Sequence, residues 1–484
     1  MIFRGYLDFL NDDFLPENSD LTSQSPLHGG DGKRIPANSP RHYGEGQGER
    51  SAVKGKLPNE LYDIIRDPKK REKLVIYINP PYAEVSTIGG SKKSVNQSSV
   101  HDKYADLLGT AGRELYAQFL IRIHEEIPNS FIGHFSTLKH LQGSAFEKFR
   151  QNFNAELKSL FVVPANTFDN VKGEFPIGFF IWDTSIKISF REIFADVFGK
   201  NGEFIGNKCV SANVDTALMT EWVAKEIPLN PNGEPIGFLA KTNSNDFQNN
   251  NIICILNKRE QLPNPRGRWI DASSLIICSV YLAVRKSIEA TWLNDRDQFL
   301  YPNDGWKTDL EFQSDCLAFT LFHGQNRISS EHGENHWIPF TEQEIGCKKA
   351  FKTHFMSDFI RNFMSGKYPK DEEKQGIWAL LEEDKSLAAA ERDSGRGLRQ
   401  FSEEAQAVFD AGRELWKYYH SQKNANPDAA FYDIRKYFQG EKNGRMNAGS
   451  EDEKYTALIA DLRAKMKVLA TKIAEKVYKY GFLK

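Results

Sequence analysis

The chain has 484 residues, 40% of them hydrophobic and 26% charged, with 63 Lys+Arg against 65 Asp+Glu and a formal net charge of −2. This balance suits two or three globular domains and excludes a disordered or fibrous chain. It advertises no nucleic-acid partner, so any such contact must come from local basic patches.

In chain order, residues 6–10 read as a short strand carrying Asp8. Residues 16–57 are polar and rich in Pro, Gly and Ser, the pattern of a solvated, flexible insertion. Residues 73–78, Lys-Leu-Val-Ile-Tyr-Ile, read as a buried strand, and Asn79-Pro80-Pro81-Tyr82 follows at once. A polar segment at 86–104 holds Lys92 and Lys93 and reads as a loop that closes over a substrate. Leu115, Phe119, Ile123 and Ile127 recur every fourth residue, predicting an amphipathic helix that Pro128 ends. Strands are predicted at 131–135, 160–164 and 175–183, the last two as an antiparallel hairpin at a sheet edge. Strands alternating with helices predict a largely parallel α/β sheet.

The tetrapeptide is the chemically informative feature. A strand that ends in Asn-Pro-Pro-aromatic holds an amide at the carboxyl edge of the sheet, where ligands of such sheets bind. Prolines fix the backbone and keep their carbonyls while lacking an N–H. The Asn79 side-chain oxygen and the Pro80 carbonyl can accept both hydrogens of an exocyclic amine. Tyr82 can stack on the base face, worth roughly 1–3 kcal/mol, and Pro81 with Pro80 fixes the backbone of this candidate catalytic motif.

These residues, with the predicted helix and strands up to 183, resemble the N6-adenine DNA methyltransferases of bacterial restriction–modification systems over about the first 185 positions. The resemblance implies S-adenosylmethionine as methyl donor, Asp8 near the donor's adenosine, double-stranded DNA as substrate and an adenine flipped out of the helix. The family's Gly-containing donor motif has no counterpart upstream of Asp8. The expectation is therefore a truncated or split enzyme, with a second polypeptide supplying the donor-binding strands. The alternatives are a non-catalytic DNA-binding or specificity subunit, or a methyltransferase for RNA or for protein glutamine.

Beyond Thr184, β-like runs are predicted at 186–190, 252–256, 274–283 and 317–322. Arg266 and Arg268 beside Trp269, and Arg327 in a loop of amides, are the candidate DNA contacts, since arginine pairs with guanine in the major groove. From about 366 the chain reads as helical, with Ser402 an N-cap and Lys465, Lys472, Lys476 and Lys479 along one side of a final helix. That lysine row is a solvated face or, against DNA, a phosphate-tracking strip.

The expected fold class is thus α/β. An incomplete Rossmann-like methyltransferase sheet spans 1–185, a mixed α+β target-recognition region 186–365 and a helical region 366–484. The five cysteines show no paired spacing, and no metal site is expected. No apolar run reaches the roughly eighteen residues of a membrane span, so no membrane partner and a cytoplasmic location are expected.

Overall fold

The computed structural model describes residues 57–80, 98–169, 171–213, 216–263, 266–366 and 401–484. The chain divides into two compact units, Met1–Ala212 and Asn213–Lys484.

The first unit is built on a sheet ordered β1-β2-β4-β3-β5-β6, with β1 Val75–Ile78, β2 Phe131–Thr137, β3 Glu156–Pro164, β4 Pro176–Asp183, β5 Glu192–Phe198 and β6 Phe204–Ser211. The pairs β1–β2 and β3–β5 are parallel, while β2–β4, β3–β4 and β5–β6 are antiparallel. The sheet is therefore mixed, not largely parallel. The cause is local: short connections join β3 to β4 and β5 to β6, and a parallel return needs a dozen or more residues. The β3–β4 hairpin is antiparallel as expected, but β4 inserts between β2 and β3 instead of lying at an edge. Two strands past residue 185 belong to this sheet, and the expected strand at 186–190 does not form.

Helices cover one face. There Ile132, His134, Leu160, Phe180 and Trp182 are buried, and His140 and Phe153 from the helical side pack on Phe180 and Trp182. The helix Leu115–Glu126 is flanked by Gly112 and Pro128 and contains neither residue type. It is buried on more sides than a single stripe requires. Gln118 donates to the Gly112 carbonyl and accepts from Ser98, and Arg122 pairs with Glu126, so its polar positions are satisfied inside. Phe119, expected in the buried stripe, is partly exposed.

β1 corrects a second expectation. Val75 and Tyr77 are 66% and 64% exposed, so the strand is not buried on both faces. Among the described residues it has a strand neighbour on one side only.

The second unit packs a small antiparallel sheet against helices. Its strands are β7 Gly237–Lys241, β8 Cys254–Leu256 and β9 Arg266–Ile270, with β7 central. Two of the expected β-like runs are helical: 274–283 lies in the helix Leu275–Lys286 and 317–322 ends the helix Leu310–Leu321. Both helices are buried nearly all round, and an apolar run without periodicity reads equally as strand or core helix. They join Glu403–His420 and Glu453–Lys479 around a core holding Trp306, Trp416 and Tyr455. Ser402 caps its helix as expected, accepting from the Ala405 N–H.

The lysine row divides: Lys465 and Lys479 are exposed, as on a solvated face, while Lys472 and Lys476 are partly buried and paired. Lys472 pairs with Glu404 and Glu311 at 3.0 and 3.1 Å, Lys476 with Asp309, and Lys465 with Asp461. The Lys472 and Lys476 pairs offset two of the four charges that a phosphate strip would use.

Candidate functional site

Asn79 and Pro80 follow the last residue of β1, at the edge where β1 and β2 both end. β3 and β5 run the same way, so the carboxyl ends of four strands share this edge. Asn79 is exposed and Pro80 is buried, so the backbone is anchored while the amide stands at the surface. Asp8, Pro81, Tyr82, Lys92 and Lys93 lie outside the described residues, as does most of the expected insertion 16–57. The tail of the expected 86–104 loop is helix: Ser98 accepts from the His101 N–H and starts Ser99–Leu108.

The support beneath this edge was missed in the sequence. His134 stands opposite Ile78 in the β1–β2 register. Its Nε2 accepts from the Trp182 indole N–H at 3.1 Å, which places the imidazole proton on Nδ1. Burial pulls its pKa down to about 3, so the ring is neutral at physiological pH. His140 packs 5.5 Å away, donates Nδ1–H to the Thr137 carbonyl and is also held well below the usual histidine range, first by burial and then by the His134 field. The two imidazoles are buried and pack on Phe180 beneath this edge.

Beside it, Lys139 follows β2 and its Nζ lies 2.7 Å from Glu114 Oε1, at the start of the helix Leu115–Glu126. This pair ties the carboxyl end of β2 to the covering helix. The sequence signal was weak, because Glu114 and Lys139 are 25 positions apart.

The arginines expected to touch DNA are not brought together. Arg266 and Arg268 lie on β9, whereas Arg327 bridges to Leu256 of β8 on the opposite side of the small sheet. Arg266 and Arg327 are exposed. Arg268 already has a structural task, donating Nε–H to the Ile227 carbonyl at 3.0 Å. Lys241, opposite Arg266, is a further cation beside this pair, and its pKa is lowered by burial and then by the fields of Arg268 and Arg266.

Among the described residues no group of His, Cys, Asp and Glu could hold a metal ion, and the five cysteines are free thiols. No described helix is long and apolar enough to cross a membrane.

No protein-family model matches the chain, and no curated protein does. Solved structures that resemble parts of it are restriction–modification enzymes. A modification subunit of a putative type I restriction enzyme from Vibrio vulnificus YJ016 is 12% identical with a TM-score of 0.21, covering 30% of this chain and 35% of that one. The type IIL enzyme MmeI, in complex with DNA, is 15% identical with a TM-score of 0.24, covering 41% and 27%. A nuclease-deletion mutant of the type ISP enzyme LlaGI with a DNA substrate mimic is 13% identical with a TM-score of 0.23, covering 36% and 22%. The chain thus spans about a third or less of these proteins' lengths, and similarity this weak carries no argument about activity. It supports no polypeptide partner.

Proposed function

We propose that the chain is a site-specific DNA adenine N6-methyltransferase of the restriction–modification type. The observation that carries this reading is the position of Asn79-Pro80 at the shared carboxyl edge of β1 and β2, with the amide exposed and the proline buried. The Asn79 side-chain oxygen and the Pro80 carbonyl accept from the two N6 hydrogens of a flipped adenine, and Tyr82 stacks on the base. Held this way, the N6 lone pair points at an electrophilic carbon, and placement does most of the catalysis.

S-adenosylmethionine supplies that carbon as a sulfonium methyl group. When bound, it would release that methyl group to N6 with the C–S electrons staying on sulfur, and the N6 proton would pass to solvent while Asn79 and Pro80 hold the amine. The fit of the donor is partial. Among the described residues β1 has a strand neighbour on one side only, and Asp8, the residue proposed at the donor's adenosine, lies outside the described residues. No described residue is assigned to the donor.

Arg266 and Arg327 are proposed as DNA contacts of the second unit, together with Lys92 and Lys93 of the first. Arg268 can add only the guanidinium N–H groups that Ile227 leaves over.

The test is Asn79→Ala measured two ways. Methyl transfer to DNA should fall by orders of magnitude while DNA affinity stays within about threefold, because a lost acceptor acts on the reacting geometry. Equal transfer by the variant would remove Asn79 from the proposed role.

A further inference from the structure

A cleft of about 340 Å³ opens in the second unit where three helices meet: the end of Leu310–Leu321, Phe431–Gln439 and Glu453–Lys479. Its floor is apolar, with Phe431, Leu462 and Met466, and its rim is cationic, with Arg435, Arg463 and Lys467. The volume falls in the roughly 300–1,000 Å³ range of small-molecule clefts.

The charges are the unusual part. Arg463 and Lys467 are four apart on one helix, where like charges repel. Arg435 faces them, and the Arg463 field adds to burial in lowering its pKa. No carboxylate of the described residues pairs with any of the three. This contrasts with Lys472 and Lys476 on the same helix, which are both paired with acids.

Two buried polar atoms also point to a ligand. The Arg435 Nε and the His323 Nε2, both on cleft-lining residues, have no hydrogen-bond partner. Arg435 uses Nη1 on the Gly324 carbonyl and lies over the Phe431 ring at 5.6 Å, so its guanidinium is held flat with donors to spare. Behind His323, Lys286 donates to Gln325 and the Asn250 carbonyl and adds a further positive charge. Burial and then the Lys286 field pull the His323 pKa down to about 4, so its free nitrogen meets a ligand uncharged.

We propose that this cleft binds a nucleotide, with a phosphate held by Arg435, Arg463 and Lys467 and the planar base against Phe431 and Met466. Guanidinium forks match phosphate oxygens, and the apolar floor needs a ligand with more than a bare anion. A free nucleotide and a nucleotide within a DNA strand offer the same chemistry.

Calorimetry on the full chain tests this, with ATP, a short single-stranded DNA oligonucleotide and inorganic phosphate as separate probes. ATP or the oligonucleotide should bind, and inorganic phosphate at least about tenfold more weakly, since it leaves the floor unused. The exposed pair variant Arg463→Ala/Lys467→Ala should fold normally and weaken the bound probe by about tenfold or more. ATP binding with that loss assigns the cleft to a free nucleotide; binding of the oligonucleotide alone, with that loss, assigns it to a strand. Binding by neither probe, or equal binding by the pair variant, overturns the proposal.

Discussion

Ile78 and His134 stand opposite each other in the parallel β1–β2 pair, so the residue before Asn79 shares its sheet face with a buried, neutral imidazole. The strand that leads to the proposed acceptor amide thus lies beside a polar floor whose hydrogen bonds depend on His134 staying uncharged. The Trp182 N–H needs an unprotonated Nε2 to accept it.

That coupling predicts an acid sensitivity. His134 has a folded pKa pulled down to about 3 from a usual 6.5. A histidine depressed on folding contributes stability that is fully present above its unfolded pKa and is lost as pH falls toward the folded value. The chain should therefore lose stability between pH 6.5 and 5, by at most about 1.4 kcal/mol per pH unit for one such group. His140, shifted in the same direction, adds to the slope. Urea melts at pH 7.5, 6 and 5 measure it, and His134→Phe should flatten the dependence. A wild-type midpoint constant over that range contradicts the buried-neutral assignment.

Gly412 sets two effects against each other. In the helix Glu403–His420, alanine is favoured over glycine by about 1 kcal/mol. A Cβ there would lie 2.3 Å from the Phe322 ring, and Phe322 is buried and has little room to move. Overpacking costs typically about 1–3 kcal/mol, so Gly412→Ala should destabilise by a net of up to about 2 kcal/mol. Thermal melts that show a gain in stability would mean the ring shifts freely.

Much of the first unit was legible because its signals are local. The apolar run before Asn79, the helix ended by Pro128 and the hairpin through 160–183 depend on residues adjacent in sequence. Strand order was not legible, since nothing in residues 175–183 says that β4 slots between β2 and β3. Residues 274–283 misled because Ile276, Ile277 and Val280 favour strands, while burial on all sides holds them in a helix. The imidazole floor and the cationic cleft were invisible for one reason. His134 with Trp182, and His323 with Arg435 and Arg463, meet only after folding.

Asp315 predicts an asymmetry between two substitutions. It is buried, accepts from the Ser402 hydroxyl and lies 3.8 Å from Lys472. Burial raises its pKa to about 6, so its charge is costly to keep inside. Asp315→Asn retains an acceptor for Ser402 and should change stability at pH 7 by less than about 1 kcal/mol, whereas Asp315→Leu leaves the buried Ser402 O–H without an acceptor and should cost about 1–3 kcal/mol. Denaturant melts of both variants decide it; equal losses would mean the charge itself holds the cap.

The arginines of the small sheet should divide by task. Arg266→Ala is expected to weaken DNA binding with little effect on stability, because the side chain is exposed. Arg268→Ala should lower stability by about 1 kcal/mol, since it removes the hydrogen bond to the Ile227 carbonyl. Paired melts and DNA titrations check both, and the reverse pattern would exchange their roles.

The most direct measurement of the central claim is the modified base itself. The chain, expressed in its native genomic setting in a host lacking adenine methylation, should place N6-methyladenine in the host DNA at a defined sequence. The Asn79→Ala form should leave the nucleoside digest free of it. Methylation that persists in the variant, or that appears on cytosine instead of adenine, would contradict the reading of Asn79-Pro80 as the acceptor pair for an adenine amine.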